Sequence, residues 1–213
     1  MNKNADKEHP LSLIEIIRKK IKLSKPGTLF GGDDSLFKDI VKKSSVYGEY
    51  GCGAATDWVL GHTKASVMAS DTSKQWLGFV ANKLSASQRK RFSYNHADLG
   101  KIKDRGRPVT YEKRRNFIHY TDWFWQQEQK PDTVLIDGRF RVCCFLTSLK
   151  NADEGTKIIF DDYVSRPHYH LIEEFIKRED ECGRQGLFVV PKKSSLNLEA
   201  IQQEIDNFRN VMD

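Results

Sequence analysis

The chain has 213 residues, with 35 Lys+Arg against 29 Asp+Glu and a formal charge of +6, long enough to bury one core without a disulfide or structural metal as a staple. A mean hydropathy of −0.61 argues against an integral membrane protein, and no apolar run approaches the ~20 residues of a spanning helix. The opening MNKNADKEHP lacks the basic-then-apolar order of a secretory leader, so a cytoplasmic location is expected.

Leu11, Leu13, Ile14, Ile17 and Ile21 recur at helical spacing, and Lys25-Pro26-Gly27 breaks the pattern. A second helix is predicted over 34–43, so residues 1–45 read as an N-terminal helical extension and 46–213 as the main domain. From Val46 strands and helices alternate. A strand is predicted over 46–50, a tight turn over 51–53, a helix over 54–61, a strand over 66–69, a helix over 73–84 and a strand over 91–95. Beyond a long basic loop come a helix through 120–129, a strand over 133–136, a helix over 140–150, a strand over 157–160, a helix over 168–178 and a strand over 186–190. Leu198, Ile201, Ile205 and Phe208 mark a closing amphipathic helix. Such alternation predicts an α/β fold, a mainly parallel sheet covered by helices on both faces. A homodimer through the N-terminal helices, or a lid made by them, is compatible with the pattern.

Cys52, Cys143, Cys144 and Cys182 have no spacing that would build a zinc site or redox pair, and they read as reduced thiols. The basic excess is local: the segment 101–115 holds Lys101, Lys103, Arg105, Arg107, Lys113, Arg114 and Arg115 against Asp104 and Glu112. One cationic loop suits a compact anionic ligand or simple solvation better than a nucleic-acid face.

In open parallel sheets ligands bind beyond the carboxyl ends of the strands. After the first strand comes Glu49-Tyr50-Gly51-Cys52-Gly53-Ala54-Ala55-Thr56. Gly51 and Gly53 permit a tight turn and a close approach of ligand to backbone. Thr56 stands where a dinucleotide site has its third glycine, and Glu49 suits a ligand amine better than a pyrophosphate. Asp71 ends the second strand, placed to take ribose hydroxyls, and Asp98 follows the third, placed to accept from an adenine amino group. This order of acids around a glycine turn describes a site for S-adenosylmethionine. Val46 to Gly53 with Asp71 and Asp98 resembles the cofactor-binding half of the class I S-adenosylmethionine-dependent methyltransferases, with Glu49, Gly51, Cys52, Gly53, Asp71 and Asp98 as its cofactor residues. The resemblance implies a Rossmann-like seven-stranded sheet with one antiparallel strand; about six strands are visible in the sequence.

The next two strands end in Asp137-Gly138-Arg139-Phe140-Arg141 and Asp161-Asp162-Tyr163. Neighbouring ends would bring three carboxylates together, which calls for a divalent cation or for arginine partners such as Arg139, Arg141 and Arg166. Asp137, Asp161 and Asp162 resemble the magnesium ligands of metal-dependent O-methyltransferases, which implies Mg2+. Those enzymes carry a lysine base one turn after the first Asp, where this chain has Phe140 and Arg141. His168 or His170 is then the candidate proton acceptor, and Asp137, His168, Arg139 and Arg141 are the catalytic candidates. Together with Arg166-Pro167-His168-Tyr169 the motifs resemble a little-characterised bacterial branch associated with polysaccharide assembly. The expected function is O-methylation of an anionic saccharide or similar small molecule, with the basic loop over the same mouth and Tyr120, Trp123, Phe124 and Trp125 as either a sugar-stacking wall or core. A nucleic-acid methyltransferase and a non-catalytic S-adenosylmethionine-binding protein are the alternatives. The first of these lacks the Asn/Asp-Pro-Pro-aromatic loop of base methylation, since Asp137-Gly138-Arg139 stands there.

Overall fold

A computed structural model describes residues 28–213, and the helix predicted around Leu11 to Ile21 lies outside them. The chain runs through α1 (Ser35–Val41), β1 (Val46–Tyr50), α2 (Ala54–His62), β2 (Ser66–Asp71), α3 (Lys74–Lys83), α4 (Ala86–Arg89) and β3 (Phe92–His96). A small hairpin of β4 (Ile102–Lys103) and β5 (Arg107–Pro108) precedes α5 (Phe117–Thr121) and β6 (Thr133–Ile136). Then come α6 (Arg141–Asn151), β7 (Lys157–Phe160), β8 (Asp180–Cys182), β9 (Gln185–Val189) and α7 (Leu198–Phe208).

Seven strands form one sheet in the order β3-β2-β1-β6-β7-β9-β8. β1, β2, β3, β6 and β7 are parallel, and β9 runs antiparallel to both β7 and β8. Strand order reverses between β1 and β6, which opens a crevice at their carboxyl ends.

β6 is buried along its whole length, as a strand covered on both faces must be. The pleat sends Val134 and Ile136 into a core with Phe145, Phe160 and Phe188, while Leu135 joins Tyr47, Val67 and Ile159 on the other face. Each such side chain contributes about 1.5–3 kcal/mol on burial. Phe30 and Phe37 of the preceding segment pack into the second of these cores, the Phe37 ring 6.0 Å from Tyr47.

Four local features differ from the sequence reading. The seventh strand is β8, polar and at the sheet edge, where burial leaves no apolar alternation to read. The helix expected over 120–129 is the short α5 followed by a 3-10 turn at Trp123–Gln126. The helix expected over 168–178 is a 3-10 segment at Pro167–Glu174, whose buried Tyr169 and Ile172 are three residues apart, the repeat of that tighter helix. The basic loop contains the β4–β5 hairpin, turned by Arg105 and Gly106 at φ 62° and 76°.

Candidate active site

The carboxyl edge of the sheet is built first by backbone. Gly51 adopts φ 96°, and a Cβ there would meet Gly138 Cα at 3.1 Å. At Gly138 a Cβ would lie 1.9 Å from Tyr120 Oη and 2.8 Å from the Tyr50 carbonyl oxygen. Two glycines therefore let the turns after β1 and β6 touch. Asp71 fixes the first turn, its Oδ2 accepting from Cys52 N–H at 2.9 Å and its Oδ1 from Ser73 N–H at 2.7 Å. The Trp76 indole N–H donates to the Cys52 carbonyl and closes the turn over α3.

Thr56, in place of a third glycine, accepts from Gly53 N–H at 2.8 Å and donates to Glu49. Glu49 is fully buried and also accepts from the Tyr47 hydroxyl at 2.9 Å. Burial pushes its carboxyl up to about 8, so at neutral pH it is largely protonated. It supports the turn from beneath, within the α2 side of the sheet. Asp98 is exposed after β3, where Lys113 Nζ at 2.5 Å and Gly100 N–H hold its carboxyl below the usual carboxylate range.

The acidic cluster stands at the ends of β6 and β7, where Asp137, Asp161 and Asp162 each place an oxygen within 4.8 Å of the others. Oxygen donors in that number are the chemistry of magnesium. Guanidinium groups hold the same oxygens. Asp161, fully buried, accepts from Arg184 Nε at 2.9 Å and from its Nη2, and from Gln185 Nε2 at 3.3 Å. Asp162, in the left-handed region at φ 60°, pairs with Arg166 at 2.7 Å, Arg184 at 3.1 Å and Arg141 at 3.3 Å. Asp137, its side chain 37% exposed, pairs with Arg141 at 3.1 Å.

Three carboxylates thus face Arg141, Arg166 and Arg184. In this arrangement guanidinium groups stand where a divalent cation would sit, and the side chain of Arg141 is 4% exposed. Arginine pairing, one of the two expectations for the cluster, is present. Burial raises the Asp161 carboxyl, the Asp137 charge adds to this, and Arg184 opposes both.

Two of the three expected arginines are partners here; Arg139 is not. Its Nη1 donates to the Asp213 main-chain oxygen at 2.5 Å, and its Nε is buried with no hydrogen-bond partner. Burial and the neighbouring Arg141 charge lower its affinity for a proton. Arg184 was missed because it stands in the turn between β8 and β9, and β8 itself left no signal. Recognition of Cys182-Gly183-Arg184 as a hairpin turn, with Gly183 at φ 60°, would have delivered it beside the end of β7.

His168 is exposed beside Tyr169, ring centroids 4.2 Å apart, whereas His170 is tied to the Tyr163 carbonyl oxygen at 3.1 Å. The aromatic group is core, not wall: Tyr120, Phe124 and Trp125 are buried, and the Trp125 indole N–H donates to Tyr50 Oη at 3.0 Å. The basic hairpin meets the other half of the edge, where Thr72 Oγ1 donates to the Gly106 carbonyl at 2.8 Å beside Asp71. Its cations therefore border the turn after β2, not the acidic cluster. All four cysteines are free, with Cys143 and Cys144 fully buried in α6.

No family model and no curated protein matches the sequence. Among solved structures, the chain is similar to a methyltransferase-like protein from Silicibacter pomeroyi, at 27% identity over 82% of this chain and 92% of that one, with a TM-score of 0.70. It also shares the fold of a SAM-dependent O-methyltransferase from Thermotoga maritima, at 11% identity over 84% and 72% of the two chains, with a TM-score of 0.53. No helix among the described residues is long and apolar enough to cross a membrane. Strand order, the single reversed strand, the Gly51–Gly53 turn backed by Asp71, and these likenesses place the chain in the class I S-adenosylmethionine-dependent methyltransferase superfamily.

Proposed function

We propose that the protein is an S-adenosylmethionine-dependent O-methyltransferase that methylates a hydroxyl of an anionic saccharide or related small molecule. The observation that carries this reading is the Gly51 turn, pinned by Asp71 and seated against Gly138, at the point where strand order reverses. In this reading the backbone of 51–53 supports the amino-acid end of the cofactor, Asp71 accepts from the ribose hydroxyls and Asp98 from the adenine amino group. The sulfonium then lies toward Gly138 and Asp137.

Methyl transfer is an in-line displacement: the acceptor oxygen bonds to the methyl carbon, the sulfonium leaves as a thioether, and the hydroxyl proton goes to a base. Asp137 is the most exposed of the three acids and presents its carboxylate to the mouth as that base. His168, exposed on the segment after β7, is the second group in line for the proton. Arg141, Arg166 and Arg184 hold the three acids in place, the positioning a magnesium ion gives in metal-dependent O-methyltransferases.

The test is transfer of a radiolabelled methyl group from S-adenosylmethionine to three acceptors: uronic-acid oligosaccharides, neutral oligosaccharides and RNA. Label on the uronic acids, reduced at least about tenfold by Asp137→Asn, is expected for loss of one positioned base. Label on RNA alone would establish a nucleic-acid enzyme, and S-adenosylmethionine binding without label on any acceptor would favour the non-catalytic reading.

A further inference from the structure

Arg139 stands apart from the acidic cluster and takes a main-chain oxygen of Asp213. α7 packs along α6, Arg209 at its end donates to Asp122 Oδ1 and Thr121 Oγ1 at 3.0 Å, and Met212 packs against the core. This course delivers Asp213 to the mouth. Its Oδ1 accepts from the Arg141 backbone N–H at 3.0 Å, in the first turn of the 11-residue α6, while its main-chain oxygen accepts from Arg139 Nη1 at 2.5 Å. The hydroxyl of Tyr169, a residue 1% exposed, also faces the Asp213 carboxylate.

These groups are all donors and meet one residue: the guanidinium takes its main-chain oxygen, while the helix-terminal N–H and the phenol take its side-chain carboxylate. Asp213 does not use them all, for Arg139 Nε stays buried without a partner. A carboxylate or phosphate arriving as a free group would take Nε and an Nη together, the fork geometry that a main-chain oxygen cannot offer. Arg139 follows Gly138 in the chain, and Gly138 touches the Gly51 turn. An anion held there stands next to the presumed point of methyl transfer.

We propose that Arg139, the Arg141 backbone N–H and the Tyr169 hydroxyl form the seat for a carboxylate or phosphate of the acceptor, and that the Asp213 side-chain carboxylate is a tethered occupant of the Arg141 and Tyr169 part, which the acceptor displaces. The inference rests on the methyltransferase reading for its purpose but not for its binding chemistry. A tethered competitor raises the apparent dissociation constant of any free anion, so removing it reveals the site.

The test titrates the full chain, with and without S-adenosylhomocysteine, against glucuronate in one arm and inorganic phosphate in the other. Asp213→Ala is expected to bind at least one anion about tenfold more tightly than the natural chain, and adding Arg139→Gln to lose about tenfold or more. The arm that responds identifies the anion as carboxylate or phosphate. Where Arg139→Gln fails to fold, Tyr169→Phe in the Asp213→Ala background replaces it, with a severalfold loss expected. No gain in Asp213→Ala, or a gain indifferent to both further changes, would overturn the proposal. Absence of S-adenosylhomocysteine binding alongside Arg139-dependent anion binding would overturn the methyltransferase reading and leave the anion seat standing.

Discussion

The two halves of the carboxyl edge are held by different forces. At β1 and β2 a short stretch of backbone does the work, with Gly51 against Gly138 and Asp71 on the N–H groups of Cys52 and Ser73. At β6 and β7 ion pairs do it, and one cation, Arg184, arrives from a hairpin turn 23 residues beyond Asp161. A site made of backbone is local and leaves a motif, whereas a site made of paired charges depends on distant elements that happen to meet.

The contact joining the halves is the most sensitive point. Gly138→Ala forces a Cβ to 1.9 Å from Tyr120 Oη and 2.8 Å from the Tyr50 carbonyl oxygen, and a loss of about 3 kcal/mol or more in thermal or urea unfolding is expected. Next comes the ion-pair half. Arg184→Ala leaves Asp161, fully buried, without its bidentate partner, and about 2 kcal/mol is expected in the same assay, below the usual cost of breaking a buried pair because Arg184 is partly exposed. Arg184→Lys should recover less than half of that loss, since a point charge does not reproduce the fork.

A graded effect, spread over several pH units, comes from Glu49. Glu49 is raised by burial from 4.5 to about 8, so the fold keeps it protonated where the unfolded chain ionises it. Its stabilising contribution is complete below pH 4.5, declines as pH rises and is gone above about 8. Glu49→Gln should flatten the stability profile over that window by about 1 kcal/mol per pH unit. The smallest expected effect is that of magnesium: with arginines on all three carboxylates, added Mg2+ or EDTA should leave S-adenosylhomocysteine affinity unchanged within about twofold. A larger change in that affinity would mean that the arginines yield to the ion.

Much of this was legible in the sequence, and the gaps have physical causes. The apolar runs at 133–136 and 157–160 gave their strands because both faces are buried. Gly51, Asp71, Asp137 and the Asp161–Asp162 pair stood out because turns and strand ends carry few other constraints. β8 escaped because Asp180, Glu181 and Cys182 form a polar edge, and Arg184 was lost with it. Tyr120, Phe124 and Trp125 offered no way to tell core from ligand wall, since both want aromatic residues at helical spacing; the Tyr50 hydroxyl, which takes the Trp125 indole N–H, decides for core. The basic segment was placed by its position after β3, but its hairpin ties back to Thr72 beside Asp71, and the cations on the acidic cluster are Arg141, Arg166 and Arg184.

The central claim is that the Gly51 turn with Asp71 binds S-adenosylmethionine. Calorimetric titration of the full chain with S-adenosylhomocysteine, repeated for Asp71→Ala and Asp161→Ala, tests it most directly. Binding that falls at least about tenfold in Asp71→Ala, through loss of acceptors for the ribose hydroxyls, and survives in Asp161→Ala is the expected result; no binding by the natural chain, or binding indifferent to Asp71, would contradict it.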